Sequence, residues 1–415
     1  MPSSFPTGIN SMKLKVSTYE QDFSSASLGN NVIPITEQNI INVLESPGVN
    51  TIPSIVATYS NSAVSSGSIN IEIAGTPYIN IIPSSWVQRG ANIDGEANSD
   101  QTGWSVSLSA DGSIVAIGAP YYQGDGTYRG NVRVYARNGT TWVQRGANIN
   151  GEADSDFSGY SVSLSADGSI VAIGAPNNAG GGYQRGHVRV YAWNGTIWVQ
   201  RGADIDGEAD YDQSGENVSL SADGSTVAIG APYNAGDGGS SRGHVRVYEW
   251  NGTIWVQRGA DFDGEADYDH TGWSVSLSSD GSIVAIGAPN NAVVDGGLYR
   301  GYVRVYAWNG TTWVQRGANI NGEADYDESG YSVSLSTDGS IVAIGAPGSR
   351  GRVRVYEWNG TTWVQRGANI DGEANYDRSG QSVSLSTDGS IVAIGAPYNA
   401  GGGHARGRVR LLEYS

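Results

Sequence analysis

The stretch "SADGSIVAIGAP" fills residues 109–120 and returns almost unchanged at 165–176, 221–232, 278–289, 336–347 and 386–397. Its Asp-Gly favours the φ > 0 turns that match strand twist in β-hairpins. Its "SIVAIGA" is nearly continuous in apolar residues, as expected for a strand covered on both faces. The phrase therefore reads as a turn followed by a buried strand, used once in each of six units.

Taking residues 142–196 as one unit, equivalent units begin at Trp86, Trp198, Trp255, Trp313 and Trp363, with spacings of 56, 56, 57, 58 and 50 residues. Length differences fall between the Ala-Pro and the next Arg-Gly, which marks that segment as a loop. Three further strands flank the buried one. "YSVSLS" alternates Val162 and Leu164 with serines and reads as half-buried. "HVRVYAW" sets Val188 and Val190 against Arg189 and Tyr191, and "TIWVQRG" is joined to it by Asn-Gly. No helical period occurs in the repeats. A four-stranded meander of about 50 residues has the size of a propeller blade, and such units need neighbours to bury both faces. The expected fold is all-β, a propeller of six clear four-stranded blades. Residues 86–90 are positioned to complete the last blade, because the repeats end after a third strand at 408–414. The alternative is a seventh, degenerate blade from residues 54–85, which contain "SIVATYS", "SINIEIAG" and "YINIIPSS". Residues 1–53 read as an arm with one short helix in "ITEQNIINVLESPG", capped by Thr36 and stopped before Pro47.

The chain has 415 residues, a formal charge of −17 and no cysteine. The acidity argues against a nucleic-acid partner, and the missing cysteines exclude disulfides and thiolate chemistry. No apolar run reaches the ~18 residues of a membrane span. The first 23 residues lack the apolar core of a signal peptide. Lys13 and Lys15 are the only lysines, so 22 of the 24 basic residues are arginine; arginine's planar fork suits it to gripping carboxylates.

The openings "TGWSVSLS" and "SGYSVSLS", with Gly118-Ala119-Pro120 and its five counterparts, resemble FG-GAP repeats, the blades of integrin α-chain propellers. The resemblance covers residues 86–415. It implies a propeller used for adhesion and ligand binding, at an extracellular or virion surface. Integrin-type repeats often carry a calcium loop before Gly-Ala-Pro. Here only the Asp-Gly of that loop survives, at Asp111-Gly112 and its equivalents, so this segment reads as architecture.

The acidic loop is the better metal candidate. "DIDGEADYDQSG" carries Asp206, Glu208, Asp210 and Asp212, and "DFDGEADYDHTG" carries Asp263, Glu265, Asp267 and Asp269. Alternating carboxylates around a glycine can wrap calcium; pairing with the recurrent arginines is the competing and favoured reading. Tyr211, Tyr268, Tyr326 and Tyr376 occupy one position of this loop. They are candidate ligand-binding residues, with packing against the next blade as the alternative. His187 and His244 share one repeat position and read as strand-edge residues. Each Asn-Gly-Thr fits an N-glycosylation pattern, but the turn alone demands Asn-Gly. No Ser–His–acid arrangement recurs and the repeats are closely alike, so no enzyme is expected. The expected role is adhesion or recognition of a surface glycan or protein. The alternative is a structural component of a virion, sheath or cell-surface layer that assembles through residues 1–85.

Overall fold

The computed structural model describes residues 9–16, 19–24, 55–61, 64–71 and 89–414, the last span without 125, 237–238, 292–297, 349–350 and 400–406. The expected helix near Thr36 and the strand expected from Trp86 lie outside the described residues. The chain divides into two units, residues 1–88 and 89–415. In the first, Ile9–Val16 lies between Tyr19–Ser24 and Ile55–Asn61, and Val64–Ile71 pairs with the far side of Ile55–Asn61. Two of the stretches weighed as a seventh blade are thus strands of this sheet.

The second unit is a six-bladed β-propeller, with blades at residues 105–144, 161–200, 217–257, 274–315, 332–365 and 382–413. Blade two shows the plan: Ser161–Leu164, Ile170–Ala175, His187–Trp193 and Trp198–Gln200 pair antiparallel in chain order. A fifth short strand, Ile205–Asp206, folds back onto the third. Blade six has three strands among the described residues. Every regular element among the described residues is a strand.

The repeated phrase acts as read. Ser109 Oγ donates to Asp111 Oδ1 at 2.7 Å and accepts the Ile114 N–H at 2.9 Å, and Gly112 takes φ 65°. The Ser113 N–H and the Ser109 hydroxyl hold the Asp111 carboxyl down to about 2. The carboxylate is committed to its own turn.

Blades meet through their first strands, which touch one another from blade to blade. Ala116, Val132 and Val134 of blade one pack on Val162, Leu164, Val171 and Ile173 of blade two. The same seam joins the later pairs. Each fully buried side chain of this size contributes roughly 1.5–3 kcal/mol. The first strand is not half-solvated as its alternation suggests, because its serines bond across the seam. Ser107 Oγ accepts the Leu164 N–H, Ser163 Oγ that of Leu220 and Ser219 Oγ that of Leu277, at 2.9–3.0 Å.

The glycine of Gly-Ala-Pro marks the tightest point. A Cβ on Gly174 would lie 2.0 Å from the Gly215 oxygen of blade three, which also accepts the Ser161 hydroxyl at 2.7 Å. Gly118, Gly230, Gly287 and Gly345 face the next blade's carbonyl at the same 2.0 Å, whereas Gly395 of blade six faces only its own Ser382. The two end faces match this asymmetry. Val106 and Leu108 are 63% and 60% exposed, against 9% and 7% for Val162 and Leu164. Val409 and Leu411 on blade six are also exposed.

Gly230→Ala should therefore lower stability by about 1–3 kcal/mol, as overpacking does. Gly395→Ala should cost much less, since Ser382 can rotate aside. Thermal melting of both variants checks this; equal losses would mean that blade six is packed against another blade.

Candidate functional site

The acidic loop between blades two and three, residues 204–215, is pinned at both ends. At its base the Trp255 indole donates to the Arg201 carbonyl at 2.7 Å, while the Arg201 guanidinium lies over Trp250 and Trp255. Those two indoles pack across their hairpin, with centroids 5.4 Å apart. From blade three, Arg246 donates through Nη2 to the Asp206 carbonyl at 2.6 Å. The far end closes when buried Asp212 accepts the N–H groups of Glu208 and Ala209 at 2.9 and 2.8 Å.

The candidate calcium ligands are spread over separate partners. The Asp206 side chain faces His187, Glu208 lies 3.5 Å from Arg246, and Asp210 accepts the Arg185 Nε–H at 3.1 Å. In the next loop Asp263 is in register with His244, Glu265 lies 3.5 Å from Arg304, and Asp267 accepts the Arg242 Nε–H at 2.9 Å. Asp269 binds the N–H groups of Glu265 and Ala266 and the Asn291 amide. The charges follow these partners. Arginine hydrogen bonds depress the Asp210 and Asp267 carboxyls, while burial raises those of Asp206 and Glu208.

Tyr211, Tyr268, Tyr326 and Tyr376 all point into solvent, at 57%, 59%, 49% and 78% exposure. Each sits in the left-handed region, with φ between 64° and 69°. Ser99 and Ser155 hold the equivalent positions in the first two loops with φ 69° and 66°. Blade three's Tyr211 lies 5.1 Å from Tyr183, and Tyr326 lies 5.9 Å from Tyr299, centroid to centroid.

A second cluster escaped the sequence reading. The residue just before each first strand is Trp104, Tyr160, Glu216, Trp273, Tyr331 or Gln381 in blade order. Because the first strands adjoin, these side chains come together: Trp104 lies 5.3 Å from Tyr160, and Trp273 5.4 Å from Tyr331. Tyr160 lies beside Glu216, and burial among these aromatics pushes the Glu216 carboxyl up to about 7. The available signal was a lone acid at a position otherwise aromatic or amide. His187 and His244 also differ from expectation, being buried at blade junctions.

No family model matches the chain, and no curated protein matches it. Among solved structures it is similar to hydrazine synthase of Kuenenia stuttgartiensis, with TM-score 0.49 and 14% identity over 86% of this chain and 89% of that one. It is also similar to the Cps50 (Swd1) β-propeller domain of Myceliophteria thermophila, with TM-score 0.48 and 9% identity over 75% and 82%. The expectation that this chain is not an enzyme is withdrawn. That expectation rested on the likeness of the blades, yet Glu216 makes blade three unlike the others. The propeller architecture does not settle enzymatic status.

Glu216 also sets a pH dependence. Its folded-state carboxyl sits near 7, above its ordinary 4.5. The associated stability is present below 4.5 and is lost as pH rises through 7. Glu216→Gln should remove that loss, making the variant more stable than wild type at pH 8 by about 1–3 kcal/mol. Denaturant titrations at pH 4.5 and 8 read the difference; equal pH slopes in the two proteins would contradict it.

Proposed function

We propose that the propeller is a recognition module that engages surface glycans through the tyrosines of its acidic loops. The supporting observation is the exposed, blade-by-blade repetition of Tyr211, Tyr268, Tyr326 and Tyr376 on a turn that forms equally with serine at Ser99 and Ser155. The turn does not require tyrosine, and packing does not bury it. An aromatic face can stack on sugar C–H groups while the adjacent carboxylates accept from hydroxyls. One such site is weak, but four on a rigid frame can raise avidity by about 10²–10⁴. The resemblance to FG-GAP repeats, carried by the Gly-Ala-Pro motif, supports an adhesive role. The test is retention on a glycan array by wild type and by the variant with all four tyrosines changed to serine. Wild type should be retained on at least one glycan; the variant should lose retention yet melt at the same temperature. Absence of wild-type retention on every glycan would end this reading.

The exposed end faces favour a second reading, a structural building block. Val106 and Leu108 match the residues that blade one would present to a preceding blade, and Val409 and Leu411 match the complementary face. Such a pair is heterologous and can join copies head to tail. Light scattering should then give a mass that grows with concentration, and Val106→Ser with Leu108→Ser should abolish the growth. A single-chain mass at all concentrations would refute it.

A further inference from the structure

One repeat position differs in a way the frame does not need. The residue that begins the third strand is Asn131, His187, His244, Tyr302, Arg352 or Arg408 in blade order. In blades one, two, three and five it stands beside a glutamate of the preceding acidic loop and the side chain two residues after the following Arg-Gly, and in blade six it pairs with the loop glutamate. In blade one Asn131 and Asn148 both donate to Glu96, at 3.3 and 2.7 Å. In blade five the Arg352 guanidinium pairs with Glu323, and Asn369 donates to the same carboxylate at 2.9 Å. In blade six Arg408 pairs with Glu373. These glutamates are met by a donor or a built-in cation.

Blades two and three change both partners together. The strand residue becomes histidine and the asparagine becomes aspartate, giving Glu152–His187–Asp204 and Glu208–His244–Asp261. The candidate ligand atoms of each set lie within 4.8 Å of one another. Both histidines are 1% exposed. His187 Nδ1 lies 3.6 Å from Asp204 Oδ2, and His244 Nδ1 lies 3.8 Å from both Glu208 Oε2 and Asp261 Oδ2. These separations are too long for hydrogen bonds. They are close to the ~3.4 Å between two ligand atoms that share a tetrahedral ion at metal–ligand distances near 2.1 Å.

The outer contacts orient each carboxylate. Gln200 Nε2 donates to Asp204 Oδ1 at 2.6 Å and Gln257 Nε2 to Asp261 Oδ1 at 2.5 Å, leaving Oδ2 of each turned toward the imidazole. Glu152 and Glu208 likewise turn Oε1 to Arg189 and Arg246, at 3.3 and 3.5 Å. Such outer-shell holding is typical of metal-ligating groups. The geometry points to two equivalent divalent-cation sites of the zinc class, each formed by one buried histidine and two carboxylates at a blade junction. Nδ1 and two carboxylate oxygens would supply three ligands and water the remainder. The second site would also tie down the loop that carries Tyr211, three residues after Glu208.

The test uses the whole chain, stripped with chelator, and titrates zinc in a calorimeter, with calcium in parallel. Two zinc ions per chain are expected, one for each cluster. His187→Asn with Asp204→Asn should leave one, and adding His244→Asn with Asp261→Asn should leave none. These substitutions recreate the Asn131–Asn148 arrangement of blade one, so the melting temperature without metal should hold. Zinc should raise the melting temperature of wild type and leave that of the quadruple variant unmoved. Absence of zinc uptake by wild type, unchanged uptake in the quadruple variant, or uptake of calcium in place of zinc would each overturn the assignment.

Discussion

The approach of one carbonyl oxygen to one Cα sets the spacing on which the propeller depends. Gly215 O sits so close to Gly174 that a Cβ there would lie 2.0 Å away, and the Ser161 hydroxyl closes on the same oxygen. This is glycine used for backbone approach and not for a left-handed turn. Widening the contact would separate the small, fully buried Ala172 and Val188 from Val227 and Ile229 across the seam. Dispersion falls steeply with distance, so a gap of 0.5–1 Å already forfeits about a quarter to a half of each contact. The Gly-Ala-Pro repeat is therefore a spacing rule for blade stacking, written once per junction.

Arginine supplies the next layer. Arg145 bonds the Gly168 carbonyl at 3.0 Å while its face lies 4.8 Å from the Trp193 ring and 5.7 Å from that of Trp198. Arg246 bonds the Asp206 carbonyl and pairs with Glu208. Each guanidinium spans a backbone oxygen and a second partner at once, which a lysine's compact ammonium cannot reproduce. Arg189, Arg246, Arg304 and Arg354 are buried, and so are Asp212, Asp269, Asp327 and Asp377, so the two signs are balanced inside the blades.

The strands were legible because period-two alternation and the Asp-Gly and Asn-Gly turns are local signals, and Ile170–Ala175 with His187–Trp193 fall where those signals put them. The relations between blades were not legible. Ser163 reads as a solvent-facing residue of a half-buried strand, yet it bonds Leu220, 57 residues away. His187 reads as an edge residue, yet Glu152 and Asp204 converge on it from two different loops. Glu216 meets Tyr160 only because first strands adjoin. A repeat pattern describes the faces of one unit; what lies opposite depends on the stacking. Tyr211 and its equivalents are visible in the sequence as one loop position, but their exposure depends on a turn geometry that the residues alone do not state.

Comparison among blades separates the positions that the frame fixes from those that it leaves free. Positions 118, 174, 230, 287 and 345 are all glycine because each meets a carbonyl that leaves no room for a side chain. Position 211 and its equivalents hold tyrosine or serine on the same turn, because Asp212 and Asp156 make that turn with backbone N–H groups alone. The start of the third strand holds Asn, His, Tyr or Arg, because the strand pairing there uses main-chain atoms and Arg246-type contacts lie two residues further on. A position whose identity costs the frame nothing can be given to a ligand without weakening the stack. The tyrosine rim and the histidine junctions are both of this kind. Glu208 and Tyr211 lie in the same loop, so an ion held at the first and a ligand held at the second would share one turn.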